Sequence, residues 1–154
     1  MMKPKTIRTD QHGVAAVEFA ILLIPLIVLL FGITEFGRAM FQYDALAKSV
    51  RGAVRHLSQN SAGDASAVQI AKNIAVFGNA GGTGAALLPG LTTAMVTVCD
   101  ASSCAGTHAN QSTGNGAINL VTVTISGYRF TSLVPALMPN ITFENISSTM
   151  RQNL

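Results

Sequence analysis

The sequence has little charge and no tryptophan, and both shortages narrow the kinds of protein that it can be. Charged residues make up 11% of the 154 residues, against about 25% in an ordinary soluble domain. The formal charge is only +3, and the chain lacks the interleaved basic and aromatic residues that bind nucleic acid. The composition therefore argues against a nucleic-acid partner, and the length allows one modest domain.

Hydrophobic residues are not in excess, but they are crowded into one run at residues 14–33. As a helix with about 1.5 Å of rise per residue, this run would span roughly 30 Å, the thickness of a bilayer core. A cleaved secretory signal would have a shorter apolar region followed by a small-x-small cleavage site. We therefore predict a membrane span that is retained.

Glu18 is the one charged residue within this run. Placing a carboxylate in a bilayer costs roughly 2.5–3.5 kcal/mol on insertion scales. Its position alone leaves two explanations open: the side chain reaches water at the membrane edge, or it is kept for a partner charge.

The residues before Glu18 add a second signal, because a short basic leader ends at Gly13 and Glu18 is the fifth residue after it. The string GVAAVEF resembles a type IV prepilin processing site. This resemblance implies that a prepilin peptidase cuts between Gly13 and Val14, and that Glu18 and Phe19 serve processing and assembly. Glu18 would then pair with the new N-terminal amine, since neither charge is tolerable alone in an apolar layer.

The resemblance continues to Arg55, and the whole stretch is similar to the TadE-like family of minor pseudopilins. The matching elements are the G-x-A-A-V-E-F string, the mid-helix Pro25, and the E-F-G-R motif of Glu35, Phe36, Gly37 and Arg38. The family tends toward a Gly-Ala-Arg string near the end of this stretch, whereas residues 51–55 read RGAVR. This departure leaves the role of the arginines open.

The resemblance implies a non-enzymatic subunit of a tight-adherence (Tad, or Flp type IVb) pilus or secretion system. Its partners would be the inner membrane, a prepilin peptidase, other pilins and the Tad assembly machinery, with no cofactor. A major tight-adherence pilin is, by resemblance, little more than the processed helix, so the extra domain here favours a minor subunit. The alternative is an uncleaved single-pass anchor that presents an extracytoplasmic binding domain.

Two features of the first helix have more than one interpretation. Pro25 removes a backbone hydrogen bond, which produces either a harmless kink or a soft point at which the helix leaves the bilayer and repacks. Glu35 and Arg38 lie one turn apart at the expected membrane edge, where we predict a simple interfacial ion pair.

The predicted fold is α+β and pilin-like, with a long N-terminal helix, a second helix and a small antiparallel sheet. Its parts are a cytoplasmic leader (1–13), a transmembrane helix (14–35) and an extracytoplasmic domain (36–154), with the first helix continuing to about residue 57. An apolar stripe beyond the membrane packs either on the domain or in a coiled coil. The stripe consists of Phe36, Met40, Tyr43, Ala47, Val50, Val54 and Leu57.

The rest of the domain is predicted from caps, glycines and alternation. Asp64 is the predicted N-cap of the second helix and Gly78 its end, and Ala67, Ile70, Ile74 and Phe77 form its apolar face. The predicted strands are residues 93–99, 118–130 and 141–148. The predicted loops are a flexible linker at 78–90, a mobile loop at 105–116, and an apolar segment at 131–139 that covers the core or binds a partner.

Cys99 and Cys104 close a short loop, which favours a disulfide in an oxidising compartment. A metal site with His108 is the rival, but zinc requires a fourth ligand and only Asp100 is nearby. His12, His56 and His108 are otherwise interpreted as solvated bystanders, and the acids of the exported part are too far apart in sequence to suggest catalysis.

Charge does not decide the topology, because both flanks of the apolar run are basic. The predicted disulfide and the leader instead place the C-terminal domain in the periplasm or outside the cell. The basic flanks are also typical of contacts with anionic lipid headgroups.

Overall fold

The computed structural model describes residues 12–152 as an α+β chain, which confirms the predicted fold class. Residues 1–11 of the predicted leader lie outside the described residues. The helices are α1 (His12–Ser58), α2 (Ala65–Phe77) and α3 (Ala105–His108), with a 3-10 helix at Thr93–Met95. The strands are β1 (Val96–Cys99), β2 (Gln111–Ser112), β3 (Ala117–Ile125), β4 (Arg129–Phe130), β5 (Ile141–Thr142) and β6 (Ile146–Gln152).

Helix α1 is a single 47-residue element that continues through Pro25. Its N-terminal half is long and apolar enough to cross a membrane, and the most apolar 18-residue window has a mean hydropathy of 2.8. None of that window is buried against the rest of the chain. The two halves of α1 therefore differ in surroundings: the first half is bare and the second half packs on the domain.

Strand β3 is the centre of the main sheet and is antiparallel to each of its neighbours. β1 and β6 both pair with residues 122–125 of β3 and so lie on its two opposite edges, whereas β2 pairs with the first residues of β3. Val121, Val123 and Ile125 of β3 are buried, as their alternation with threonine predicts. The predicted strand 118–130 is broken at Gly127, whose φ of 72° favours glycine, and the chain leaves the sheet there.

The core lies between this sheet, α2 and the C-terminal half of α1. Leu46, Val50, Val54 and Leu57 of α1 are buried in it. The predicted stripe is therefore correct at its C-terminal end and wrong at the other, where Phe36 and Met40 are exposed and Glu35 and Ala39 are buried. The stripe packs on the domain of the same chain, as the first of its two interpretations states.

Helix α2 begins and ends where its caps predict. The Asp64 carboxylate accepts from the amides of Ser66 and Ala67, and Gly78 ends the helix in the left-handed conformation. The predicted face is only partly right, because the smaller side chains are the buried ones: Ala67, Ala71, Ala75 and Val76. Alanines let the two helix backbones approach closely, so α2 packs through them on α1.

The three predicted loops are more ordered than expected. In the 78–90 linker the Asn79 side chain bonds both the amide and the carbonyl of Thr83, and Leu88 is buried in the core, so the linker is not merely flexible. Residues 105–116 contain α3 and β2. The 131–139 segment does not cover the core: it lies between β4 and β5, and none of its apolar side chains joins the core cluster.

Candidate functional site

The residues of the predicted processing site lie on the bare first turns of α1. Gly13, Val14, Glu18 and Phe19 are all exposed, and a Cβ at Gly13 would meet nothing within 4 Å. Val14 and Glu18 are four residues apart and therefore share one face of the helix, about 6 Å apart along its axis. Among residues 12–152 the ion pairs are Glu35–Arg38 and Asp44–Lys48, so neither includes Glu18.

Glu35 is the unexpected member of the membrane-edge motif, because this residue is only 2% exposed. One oxygen, Oε1, accepts from Arg38 Nη1 at 2.6 Å, and the other, Oε2, accepts from the Leu133 amide at 3.0 Å. The predicted ion pair is present, but it is more than interfacial. It ties α1 to the segment that follows β4, and a charged acceptor of this kind makes a strong hydrogen bond.

Arg38 and Gln42 extend this attachment along α1. The Arg38 guanidinium lies 5.4 Å from the ring centroid of the fully buried Phe130, within cation–π range. The Tyr128 hydroxyl donates to Gln42 Oε1 at 3.0 Å. Burial of Tyr128 raises the pKa of its hydroxyl.

Aromatic side chains reinforce the same contact from the domain side. Phe143 meets Tyr43 edge-on with ring centroids 5.7 Å apart, lies tilted on Tyr128 at 5.9 Å and stacks on Phe130 at 6.4 Å. These aromatic contacts were not predicted from the sequence. The alternate spacing of Tyr128 and Phe130 was the available signal, because residues two apart in an extended chain lie on the same face.

The other two residues of the E-F-G-R motif are exposed. Phe36 is 62% exposed, and a Cβ at Gly37 would meet nothing within 4 Å. The motif therefore divides in two: Glu35 and Arg38 hold the domain, whereas Phe36 is exposed and Gly37 lines an open cleft together with Leu87 and Pro89.

This first part of the chain is also where the comparisons with known proteins find a match. Residues 13–55 match the family model described as TadE-like protein. The match confirms the resemblance predicted from the sequence, and it covers a little over a quarter of the chain. Comparison with curated proteins and with solved structures gave no match.

The TadE-like segment, residues 13–55, contains almost all of α1 and ends three residues before the helix does. It includes Gly13, Glu18, Pro25 and the E-F-G-R motif. The segment therefore combines the bare apolar half of α1 with the half that packs on the domain. A TadE-like segment that forms a helix of this length and hydropathy fits a membrane protein related to the Tad pilus.

Outside the TadE-like segment, Cys99 and Cys104 form a disulfide with their Cα atoms 5.4 Å apart, as the sequence predicts. His108 lies beside it, with Nδ1 3.7 Å from Cys99 Sγ, so the three ligands of the rival metal interpretation do come together. Disulfide sulfurs are not the thiolates that bind metals. His108 is nevertheless not a solvated bystander, because its Nε2 lies 2.8 Å from Thr122 Oγ1 on the sheet.

Asp100 lies inside the loop that the disulfide closes, and its carboxylate organises that loop. It accepts from the amides of Gly63, Ser102 and Ser103 at 2.8–3.0 Å. Burial raises the pKa of this carboxyl, but the hydrogen bonds outweigh burial, so the pKa lies below its usual range. These contacts assign Asp100 a structural role and explain why it is charged although it is buried.

Proposed function

We propose that the chain is a minor pseudopilin of a tight-adherence pilus or secretion system, and that it acts by assembly rather than catalysis. Residues 14–35 would cross the inner membrane, with the leader in the cytoplasm and the domain on the other side. The observation that carries the proposal is the family match to residues 13–55 on a helix whose apolar half no other part of the described chain covers. Such a half needs lipid or other subunits around it.

Glu18 gains a clear role in this proposal. Cleavage after Gly13 would start the chain at Val14, leaving a positive amine on the first turn of the helix. Glu18 lies on the same helix face one turn later, and a carboxylate there also interacts favourably with the N-terminal end of the helix dipole. The carboxylate can neutralise its own amine or, once subunits dock side by side, the amine of a neighbour.

The test follows processing, membrane level and pilus assembly for the unmodified chain and for Glu18→Gln in one bacterial strain. Mass spectrometry of the membrane-extracted chain should show loss of residues 1–13. Glu18→Gln should reach the membrane at the normal level yet assemble poorly, by roughly 10²–10³-fold in an assembly equilibrium, because the amine loses its partner.

A matched control is Glu18→Asp, which keeps the charge and should retain most of the assembly. An intact N-terminus in a strain with an active prepilin peptidase would refute the pseudopilin proposal and leave the uncleaved anchor. Normal assembly of Glu18→Gln would refute the pairing role. Loss of cleavage in Glu18→Gln would show that the peptidase reads this residue, and assembly would then be tested with a pre-cleaved chain.

A further inference from the structure

The segment between β4 and β5 is directed toward the end of α1 that carries the apolar run. Tyr128 bonds Gln42, Phe130 lies against Arg38, and the Leu133 amide bonds Glu35. From Tyr128 to Leu133, the contacts on α1 therefore shift from residue 42 to residue 35, about 10 Å along the helix toward its N-terminus. Leu133 lies level with the point where the bare apolar half of α1 ends.

The chain turns back beyond Leu133 and forms a closed tip, here called the 133–139 tip. The Asn140 side chain accepts from the Ser132 amide at 2.9 Å across the base of the tip, and β5 then returns along β4. Inside the tip, the amides of Leu137 and Met138 both donate to the Val134 carbonyl. The tip therefore extends from the domain in the direction of the shift along α1.

The hairpin formed by β4, the 133–139 tip and β5 has a composition suited to contact with lipid. Residues 130–143 contain no charged side chain, and the 133–139 tip reads LVPALMP. Leu133 is 72% exposed and Leu137 is exposed as well, although neither is needed in the core. Apolar side chains that are exposed next to a long apolar helix are suited to the interface of a bilayer.

Two arginines lie immediately above the tip. Arg38 and Arg129 line one cleft of about 190 Å³, together with Tyr128, Thr131 and Leu133. Arg38 keeps 33% of its side chain exposed despite its pair with Glu35, and Arg129 is exposed and belongs to neither ion pair among residues 12–152. Guanidinium groups at this height match the phosphates of anionic headgroups.

We propose that the 133–139 tip is a second membrane contact, with Leu133 and Leu137 inserted at the interface of the leaflet that α1 leaves and Arg38 and Arg129 bound to phospholipid phosphates. The inference rests on α1 spanning the membrane as proposed above. The domain would then rest on the bilayer through two points, and its Glu35 attachment would lie between them.

The chain contains no tryptophan, so single substitutions report depth directly. The full chain would be reconstituted in vesicles of phosphatidylcholine and phosphatidylglycerol that contain lipids brominated at defined depths. Leu133→Trp should show blue-shifted emission and strong quenching by bromines near the headgroup end of the acyl chain. Leu22→Trp, in the middle of the span, should be quenched by deep bromines, and Gln59→Trp, just beyond the far end of α1, should stay unquenched.

The three reporter variants separate the two proposals. If Leu22→Trp is quenched and Leu133→Trp behaves like Gln59→Trp, the tip does not touch the membrane, and this inference is overturned while the span stands. If Leu22→Trp is not quenched, the span fails and the inference fails with it. Leu137→Trp repeats the measurement at a second tip position, and circular dichroism checks that each variant is folded.

The arginines are tested in the Leu133→Trp background. Quenching of this reporter should be weaker in vesicles of phosphatidylcholine alone, and adding Arg129→Gln should reduce it in the anionic vesicles. Arg55→Gln removes the same charge at a site about 25 Å along α1 from Arg38, and it should leave the quenching unchanged. Equal effects of the two substitutions would overturn the assignment of Arg129 to a headgroup.

Discussion

Two ion pairs on α1 have the same N–O distance but differ in how exposed they are, and the comparison shows what burial contributes to an ion pair. Glu35–Arg38 and Asp44–Lys48 both measure 2.6 Å, but the Asp44 and Lys48 side chains are 59% and 69% exposed. An exposed pair contributes little to stability, because water and salt screen it. Glu35 is instead only 2% exposed, so solvent screens its ion pair much less, and it also accepts from the Leu133 amide.

We therefore expect Glu35→Gln to be costly and Asp44→Asn to be nearly silent. In thermal unfolding of the full chain in detergent, the melting temperature should fall by roughly 4–10 °C for Glu35→Gln and by less than about 2 °C for Asp44→Asn. The two variants remove the same charge from the same helix. Equal small changes would mean that the Glu35 attachment to residue 133 contributes nothing to the fold.

At the scale of elements, the loop after β1 is held by one carboxylate as well as by the disulfide. Asp100 reaches the amide of Gly63, 37 residues earlier in the chain in the turn before α2, and so joins the end of β1 to the start of that helix. Because the pKa of Asp100 is lowered in the folded chain, its ionised form stabilises the fold. This contribution is complete above the unfolded pKa of about 3.9 and disappears as the pH falls through the lower folded pKa.

Asp100→Asn should therefore lower the melting temperature at neutral pH, and the gap to the unmodified chain should shrink as the pH falls below about 4. In the amide, an N–H group would face one of the backbone amides that the carboxylate now accepts from. Asp64→Asn is the control, because asparagine caps a helix as well as aspartate does. A gap of the same size from about pH 7 to pH 3 would contradict the role of the charge.

The position of each element could be predicted more reliably than the direction it faces. Alternation predicted the buried face of β3, and Asp64 and Gly78 predicted both ends of α2. On α1, hydrophobicity identified the inward face at Val50 and Val54 but failed at Phe36, which is exposed. Near a bilayer, lipid solvates an apolar side chain as well as a protein core does, so hydrophobicity no longer distinguishes inside from outside.

The same reasoning explains which parts of the site were missed. Gly13, Glu18 and the E-F-G-R motif are recognisable because they lie close together in the sequence. The partner of Glu35 is a backbone amide 98 residues further on, and a backbone amide leaves no trace in the residue type. The 131–139 segment was expected to cover the core because it is apolar, but the structure turns it outward.

At the scale of the whole molecule, the part of α1 before about residue 34 is bare, and the rest of the described chain has a core of its own. None of the most apolar window of α1 is buried by the rest of the chain, whereas Leu46, Val50 and Leu57 are central to the core. We expect a fragment of residues 34–154 to fold in mild detergent, with a circular dichroism spectrum and melting temperature close to those of the full-length chain's domain.

A fragment that starts at residue 51 is the matched control, because it lacks Leu46 and Val50 and should not fold. The measurement is thermal unfolding of both fragments, with the disulfide checked by non-reducing peptide mapping. An unfolded 34–154 fragment would show that the apolar half of α1 supports the domain in a way that its exposure does not reveal.

Helix α1 has no break between its bare half and its packed half, so a tilt of the first half also moves the domain. Leu57 is 22 residues beyond Glu35, about 33 Å along the axis. A tilt of about 20°, typical of membrane helices, would move that end sideways by roughly 11 Å. In the pseudopilin proposed above, a local change in bilayer thickness, or a neighbouring subunit that tilts the span, would displace the far end of the domain by a similar distance.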